Sequence, residues 1–176
     1  MIGVGEKFPA FTLQGVDKDN NFVTVSVTEQ YEPLKKDYTV IYFYPKDFTF
    51  VCPTEISEFA SLNSEFEDRD CVVLGGSSDN EFCKLAWRRE HSDLNKLSQW
   101  SFSDTNGSLI DSLGIRSEEG VALRATFIID PHNVIQHVYV TNLNVGRNPQ
   151  DTLRVLDALQ TDELCPCNRP VGGETI

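Results

Sequence analysis

The chain has 176 residues, 27 acidic against 15 basic side chains, a formal charge of −12 and an isoelectric point near 4.6, which excludes general binding of nucleic acid. Hydrophobic residues make up 40% and charged residues 24%, a balance that supports one packed domain. The longest apolar run, residues 40–44, is far short of the roughly 20 residues of a bilayer-spanning helix. Met1-Ile2-Gly3-Val4-Gly5-Glu6-Lys7 shows neither the basic leader nor the apolar core of a secretory signal. A cytoplasmic protein that meets neither membrane nor nucleic acid is therefore the expectation.

Taken in chain order, residues 38–44 are β-branched and aromatic and stop at Pro45, the pattern of a short strand buried on both faces. Residues 48–51 form a loop. From Pro53, which suits a first helical turn, apolar Ile56, Phe59, Leu62 and Phe66 recur at spacings of three and four, so one amphipathic helix is expected. Residues 72–75 form a second short strand, closed by Gly75-Gly76-Ser77-Ser78, with a helix from Asn80 to about Glu90. Residues 125–129 and 134–140 flank Asp130-Pro131-His132-Asn133 and read as a hairpin. Asn148 caps the last helix, Pro149 occupies its first position, and Leu153, Leu156 and Leu159 form its apolar stripe. The order βαβα, hairpin, helix predicts an α/β domain with a mixed central sheet flanked by helices. There are no repeats or linkers, so the division expected is a domain over residues 1–160 and a tail over 161–176, the latter poorly equipped to fold alone.

Five cysteines are an odd number and too few for a disulfide scaffold, so in a reducing compartment each is reactive, metal-binding or buried. Cys52 stands where the loop after a buried strand turns into a helix. Its sulfur can meet the unpaired N–H groups and positive dipole end of the first turn, a placement that favours thiolate. An ordinary thiol is only a few per cent ionised at neutral pH, and one helix end supplies part of the stabilisation needed, so a cation is wanted as well. Arg124, before a hairpin strand, and Arg147, before the last helix, are the candidates, although nothing in the sequence brings either to Cys52. Simple core packing is the other role open to such a cysteine. His91, His132 and His137 lack the spacing of zinc ligands, and no motif asks for a cofactor.

The string Pro45-Lys46-Asp47-Phe48-Thr49-Phe50-Val51-Cys52-Pro53-Thr54-Glu55 resembles the active-site segment of typical two-cysteine peroxiredoxins of the alkyl hydroperoxide reductase C type. Matches at Gly5-Glu6-Lys7-Phe8-Pro9, Phe66-Glu67-Asp68-Arg69, Trp87-Arg88, Arg124-Ala125-Thr126-Phe127 and Val145-Gly146-Arg147-Asn148 extend the resemblance over nearly the whole chain. It implies a thioredoxin-like fold and a peroxidase of hydrogen peroxide, alkyl hydroperoxides and peroxynitrite. Cys52 is then the peroxidatic residue. Thr49 directs its hydroxyl to the peroxide, Arg124 stabilises the thiolate and the polarised O–O bond, and Pro45 shields the site from water. Glu55, Arg147 and Trp87 support these groups from behind.

Leu164-Cys165-Pro166-Cys167-Asn168 resembles the family's resolving segment. The resemblance implies that Cys165 attacks the oxidised Cys52 of a partner subunit, in a homodimer or ring of dimers. The spacing alone suggests that Cys167 takes over the disulfide by exchange and passes it to a dithiol protein such as thioredoxin or an AhpD-like or AhpF-like reductant. The tail departs from the family at Arg169-Pro170, where most members have tryptophan and a longer helix, so its docking is open. The insertion and the C-terminal aromatic pair of oxidation-sensitive members are both missing, which implies resistance to overoxidation. Cys71 and Cys83 match no family cysteine and read as packing residues. The rival functions are a thiol–disulfide relay without peroxide chemistry and a holdase-like or metal-binding oligomer using Cys165 and Cys167.

Overall fold

The computed structural model describes residues 1–27 and 37–176. Seven strands form one mixed sheet in the order β2-β1-β5-β4-β3-β6-β7. They are β1 Phe11–Val16, β2 Phe22–Val27, β3 Tyr38–Phe43, β4 Cys71–Ser77, β5 Trp100–Ser103, β6 Arg124–Ile129 and β7 Ile135–Thr141. The central strands β3, β4 and β5 are parallel, and the antiparallel pairs β1/β2 and β6/β7 close the two sides. The helices are α1 Cys52–Ser61, α2 Asn63–Glu67, α3 Glu81–Glu90, α4 Ser108–Leu113 and α5 Pro149–Gln160.

The expected double burial of β3 is visible in its alternation. Ile41 and Phe43 enter a core with Phe8, Phe102, Phe127 and the α4 residues Leu109, Ile110 and Leu113. Val40, Tyr42 and the following Tyr44 enter a second core with Ile56, Phe59, Phe66, Trp87, Leu153 and Leu156 from α1, α2, α3 and α5. Because side chains alternate along a strand, Ala125, Phe127 and Ile129 of β6 face the first core while Ile128 faces the second. Arg124 and Thr126 share the parity of Ile128, so the sheet directs them to the side on which α1 lies.

The structure differs from the sequence-based elements in a few places. The single helix expected over Ile56, Phe59, Leu62 and Phe66 is broken at Leu62 (φ −93°, ψ 5°) into α1 and α2, although all four side chains remain buried. Strand β4 runs on through Gly75 and Gly76 to Ser77 instead of closing there. A Cβ on Gly75 would enter the Tyr42 ring and one on Gly76 the Phe102 ring, so these glycines admit aromatic rings and are not turn residues. Strands β1, β2 and β5 and helix α4 had no assignment. The last two are four and six residues long, too short for a periodic signal. The hairpin turn and the last helix stand as expected: Asp130 Oδ1 accepts from the backbone N–H groups of His132 and Val134, and Asn148 caps α5 through Gln150 N.

After α5 the chain turns back at left-handed Asp162, Asn168 and Gly172 (φ 54°, 58° and 69°). Among the described residues α5 is the last helix. The tail docks through polar contacts, with Arg169 buried against α5. Among the described residues, no helix is long and apolar enough to cross a membrane.

Candidate active site

Cys52 opens α1, immediately beyond the loop that leaves β3, and its side chain is 1% exposed. Val51 in the cap position offers no side-chain hydrogen bond to the first turn, so the helix end is not neutralised by a capping oxygen. The sulfur lies at the floor of a cavity of about 400 Å³ lined also by Pro45, Lys46, Thr49, Phe50, Val51, Glu119, Val121, Arg124, Leu143 and Asn144. Apolar Val121 and Leu143 and the almost fully exposed Phe50 form much of its rim.

Arg124 comes from the first position of β6, and its Nη1 lies 3.4 Å from Cys52 Sγ. Two further bonds fix the guanidinium: Nε donates to the Leu143 carbonyl at 2.7 Å, and Nη1 to Glu55 Oε2 at 2.6 Å. Glu55 is one helical turn after Cys52 and 2% exposed, so its charge survives burial only because it is paired. Arg147 supplies the rest of that pairing, with Nε and the backbone N–H at 2.8 and 2.9 Å from Oε1 and Nη2 at 3.2 Å from Oε2. Arg147 is anchored in turn by the carbonyls of Ala125 and Phe43, by the Thr126 hydroxyl, and by the face of the Tyr42 ring at 5.4 Å. Two guanidinium groups against one carboxylate leave one positive charge beside the sulfur. That is a place for one negative charge.

Most of the residues singled out in the sequence thus meet here: Pro45, Thr49, Cys52 and Arg124 share one cavity, with Glu55 and Arg147 behind it. The Thr49 hydroxyl donates to the Lys46 carbonyl at 2.9 Å, so its lone pairs remain available to accept a hydrogen bond. Trp87 lies further off, packed at ring-centroid distances of 6.2 Å from Tyr44 and 5.8 Å from Phe48, where it supports the underside of the loop. Cys165 is elsewhere. It lines a separate cavity with Tyr38, Asp130 and Gln136, at the end of the sheet where β3 begins, whereas Cys52 lies beyond the end where β3 stops. At ~3.3 Å per residue, β3 alone separates these ends by roughly 17 Å. Cys167 is exposed.

A buried polar network beneath the loop had no counterpart in the sequence analysis. Lys84 of α3, 2% exposed, donates to Tyr44 OH at 3.0 Å, to Ser77 Oγ at 2.7 Å and to Asp47 Oδ1 at 3.3 Å. Asp47 belongs to the loop itself, and its backbone N–H reaches Asp79 at 2.8 Å. Nothing in the sequence marks a lysine on a helix as buried; only its neighbours Leu85 and Trp87, on the same inward side, hint at it. Cys83 adjoins this network. Burial, together with the Asp47 and Asp79 charges, pushes its thiol up to about 11, which adds an electrostatic constraint to the packing role expected for it. Cys71 is fully buried in the second core.

A buried thiol at the amino end of a helix, with an arginine within hydrogen-bonding distance and a thioredoxin-like sheet beneath, defines a thiol-dependent peroxidase of the peroxiredoxin class. The chain belongs to the AhpC/TSA family, whose pattern matches residues 4–138. It is 48% identical over 183 residues to the alkyl hydroperoxide reductase C of Mycolicibacterium smegmatis, covering 100% of this chain and 94% of that protein. Identity to a chloroplastic 2-cysteine peroxiredoxin of Chattonella marina var. antiqua is 43% over 183 residues, with 99% and 92% covered. Among solved structures, the reduced 2-Cys peroxiredoxin of Plasmodium vivax superposes with a TM-score of 0.92 at 32% identity, over 99% of this chain and 93% of the other. AhpC of Mycobacterium tuberculosis superposes with a TM-score of 0.85 at 44% identity, over 94% and 97%.

Proposed function

We propose that this protein reduces hydrogen peroxide, alkyl hydroperoxides and peroxynitrite with Cys52 as nucleophile, in the cytoplasm, and that residues 161–176 act as its resolving arm. The observation that carries the reading is the contact of Arg124 Nη1 with Cys52 Sγ, fixed from behind by Glu55 and Arg147. The Cys52 thiolate attacks the terminal oxygen of ROOH. An S–O bond forms, the O–O bond breaks, and the leaving oxygen takes a proton to depart as alcohol or water, or departs from peroxynitrite as nitrite. Arg124 meets the negative charge as it moves from sulfur to the leaving oxygen. Thr49, its own proton committed to Lys46, accepts the hydrogen of the peroxide and so orients it. Pro45 covers the sulfur, and Trp87 stiffens the loop from below.

The Cys165 thiolate then attacks the sulfenic sulfur; the S–S bond forms, the S–O bond breaks, and hydroxide leaves as water after protonation. The separation of the two cysteines at opposite ends of β3 supports a bond between subunits, hence a homodimer and a ring of dimers. Cys167, exposed and two residues away, takes over the disulfide by exchange and passes it to thioredoxin, an AhpD-like protein or an AhpF-like reductant.

The test mixes reduced protein with stoichiometric hydrogen peroxide in a stopped-flow instrument, follows tryptophan fluorescence, and runs the product on a non-reducing gel. A fast second-order phase lost in Cys52→Ser is expected, together with a covalent dimer lost in either Cys52→Ser or Cys165→Ser. A covalent dimer that survives Cys52→Ser would refute the mechanism.

A further inference from the structure

The tail beyond α5 is held by charge. Arg169, only 5% exposed, donates from Nη1 to Asp157 Oδ2 at 2.7 Å. The Gly172 backbone N–H reaches the same oxygen at 2.9 Å. Arg69, from the turn between α2 and β4, donates from Nε to Asp157 Oδ1 at 3.2 Å. One carboxylate on α5 therefore gathers three donors from two segments, the tail and the α2–β4 turn. Arg69 is braced by the Glu65 carboxylate at 3.0 Å and by Gln160, whose Nε2 donates to the Arg69 carbonyl at 2.6 Å.

The same tail is closed across Cys165. Ile176 N donates to the Leu164 carbonyl at 2.9 Å, and the Thr175 hydroxyl bonds to Glu163. The Cys165 sulfur is turned inward, 3.4 Å from Thr161 Oγ1 and 3.6 Å from the Ala158 carbonyl. Cys167, two residues on, has neither arrangement and is exposed. The tail is thus anchored on α5 by an ion pair to the Asp157 carboxylate. Such an anchor suits a segment that must open at each turnover, because no apolar core has to be broken to release it.

We infer that Asp157 and Arg169 are positioning residues for Cys165: their ion pair latches the tail onto α5 in the reduced protein, keeps the Cys165 sulfur turned from attack, and so sets how fast the disulfide closes. The inference rests on Cys165 as the sulfur that resolves the sulfenic acid. Partial burial by itself would raise the pKa of Asp157, but the bonds from Gly172, Arg169 and Arg69 hold it below the ordinary carboxylate value. The latch therefore stays charged at neutral pH.

The experiment uses the full chain with Arg169→Ala, Arg169→Lys and Asp157→Asn. Reduced protein is labelled with a maleimide for increasing times, and Cys165 and Cys167 are quantified in the same molecules by mass spectrometry. In parallel, decay of the Cys52 sulfenic acid after stoichiometric hydrogen peroxide is followed by stopped flow. Labelling of Cys165 and closure of the disulfide should both accelerate about tenfold in Arg169→Ala and Asp157→Asn, the scale of one lost charge-assisted hydrogen bond. Labelling of Cys167 and the initial oxidation of Cys52 should not change, and Arg169→Lys should return Cys165 toward its parent rate. Unchanged Cys165 labelling in both charge-removing variants would overturn the latch. Faster labelling with slower disulfide closure would overturn its sequestering role. A disulfide that persists in Cys165→Ser would instead overturn the underlying reading, while labelling, which needs no disulfide, still tests the latch.

Discussion

Replacing Glu55 by glutamine removes the charge that joins the two arginines behind Cys52 while keeping the side chain's shape. The carboxylate accepts four bonds, two at each oxygen: Arg147 Nε and the Arg147 backbone N–H at Oε1, and Arg124 Nη1 and Arg147 Nη2 at Oε2. Whichever way the amide turns, its NH2 group faces two donors, so two of the four bonds are lost. At about 1.5–3 kcal/mol for a hydrogen bond to a charged group, the loss is of the same order as the about 3–5 kcal/mol measured when one partner of a buried ion pair is removed. Urea unfolding should therefore show Glu55→Gln destabilised by about 3–5 kcal/mol, a large share of a typical stability of about 5–15 kcal/mol. Arg124 would keep its bond to the Leu143 carbonyl but lose the bond that aims Nη1 at the sulfur. A displacement of about 1 Å in a reacting group costs on the order of 100-fold in rate. Stopped-flow oxidation of the folded variant should slow by about that factor. A variant destabilised by less than about 1 kcal/mol, with an oxidation rate equal to that of the parent, would refute the argument that Glu55 sets the arginine.

Two further expectations concern protons. Cys83, pushed up from 9.0 to about 11 by burial and by the charges of Asp47 and Asp79, holds roughly 100-fold less thiolate at pH 8 than an ordinary thiol; alkylation followed by mass spectrometry should label it far behind Cys167, and equal rates would contradict the assignment. His137 on β7 has its ionisation held below the ordinary 6.5 by burial, with nearby Asp151 opposing the shift. The unfolded chain then takes up that proton first, so the contribution of neutral His137 to stability is complete above pH 6.5 and is lost as the pH falls through the lower folded value. Urea midpoints at pH 5 and 7.5 should lie closer together in His137→Gln than in the parent, and an unchanged gap would remove His137 from the acid response.

The sequence by itself determined the local pieces and singled out the candidate reacting groups. The run of residues 38–44 reads as a strand with two buried faces, Asn148-Pro149 as a helix start, and Cys52 before Pro53 as a thiol at a helix entrance, because each of these signals resides in consecutive residues. The resemblance around Pro45, Thr49 and Cys52 pointed to the chemistry for the same reason. Only the tertiary structure decided what lies far apart in the chain. Arg124 and Arg147 could be named from sequence but not brought to Cys52; it is the alternation of β6, with Phe127 on one face and Ile128 on the other, that turns Arg124 toward α1, and the bonds to Glu55 that seat Arg147. The buried Lys84–Asp47 pair left little trace in the pattern, since a lysine on a helix ordinarily faces water and its burial depends on Tyr44, just beyond β3, and Ser77 of β4. The tail shows the same limit: its composition predicted no fold of its own, and its seat on α5 exists because Asp157 gathers charges that 88 and 12 residues separate from it along the chain.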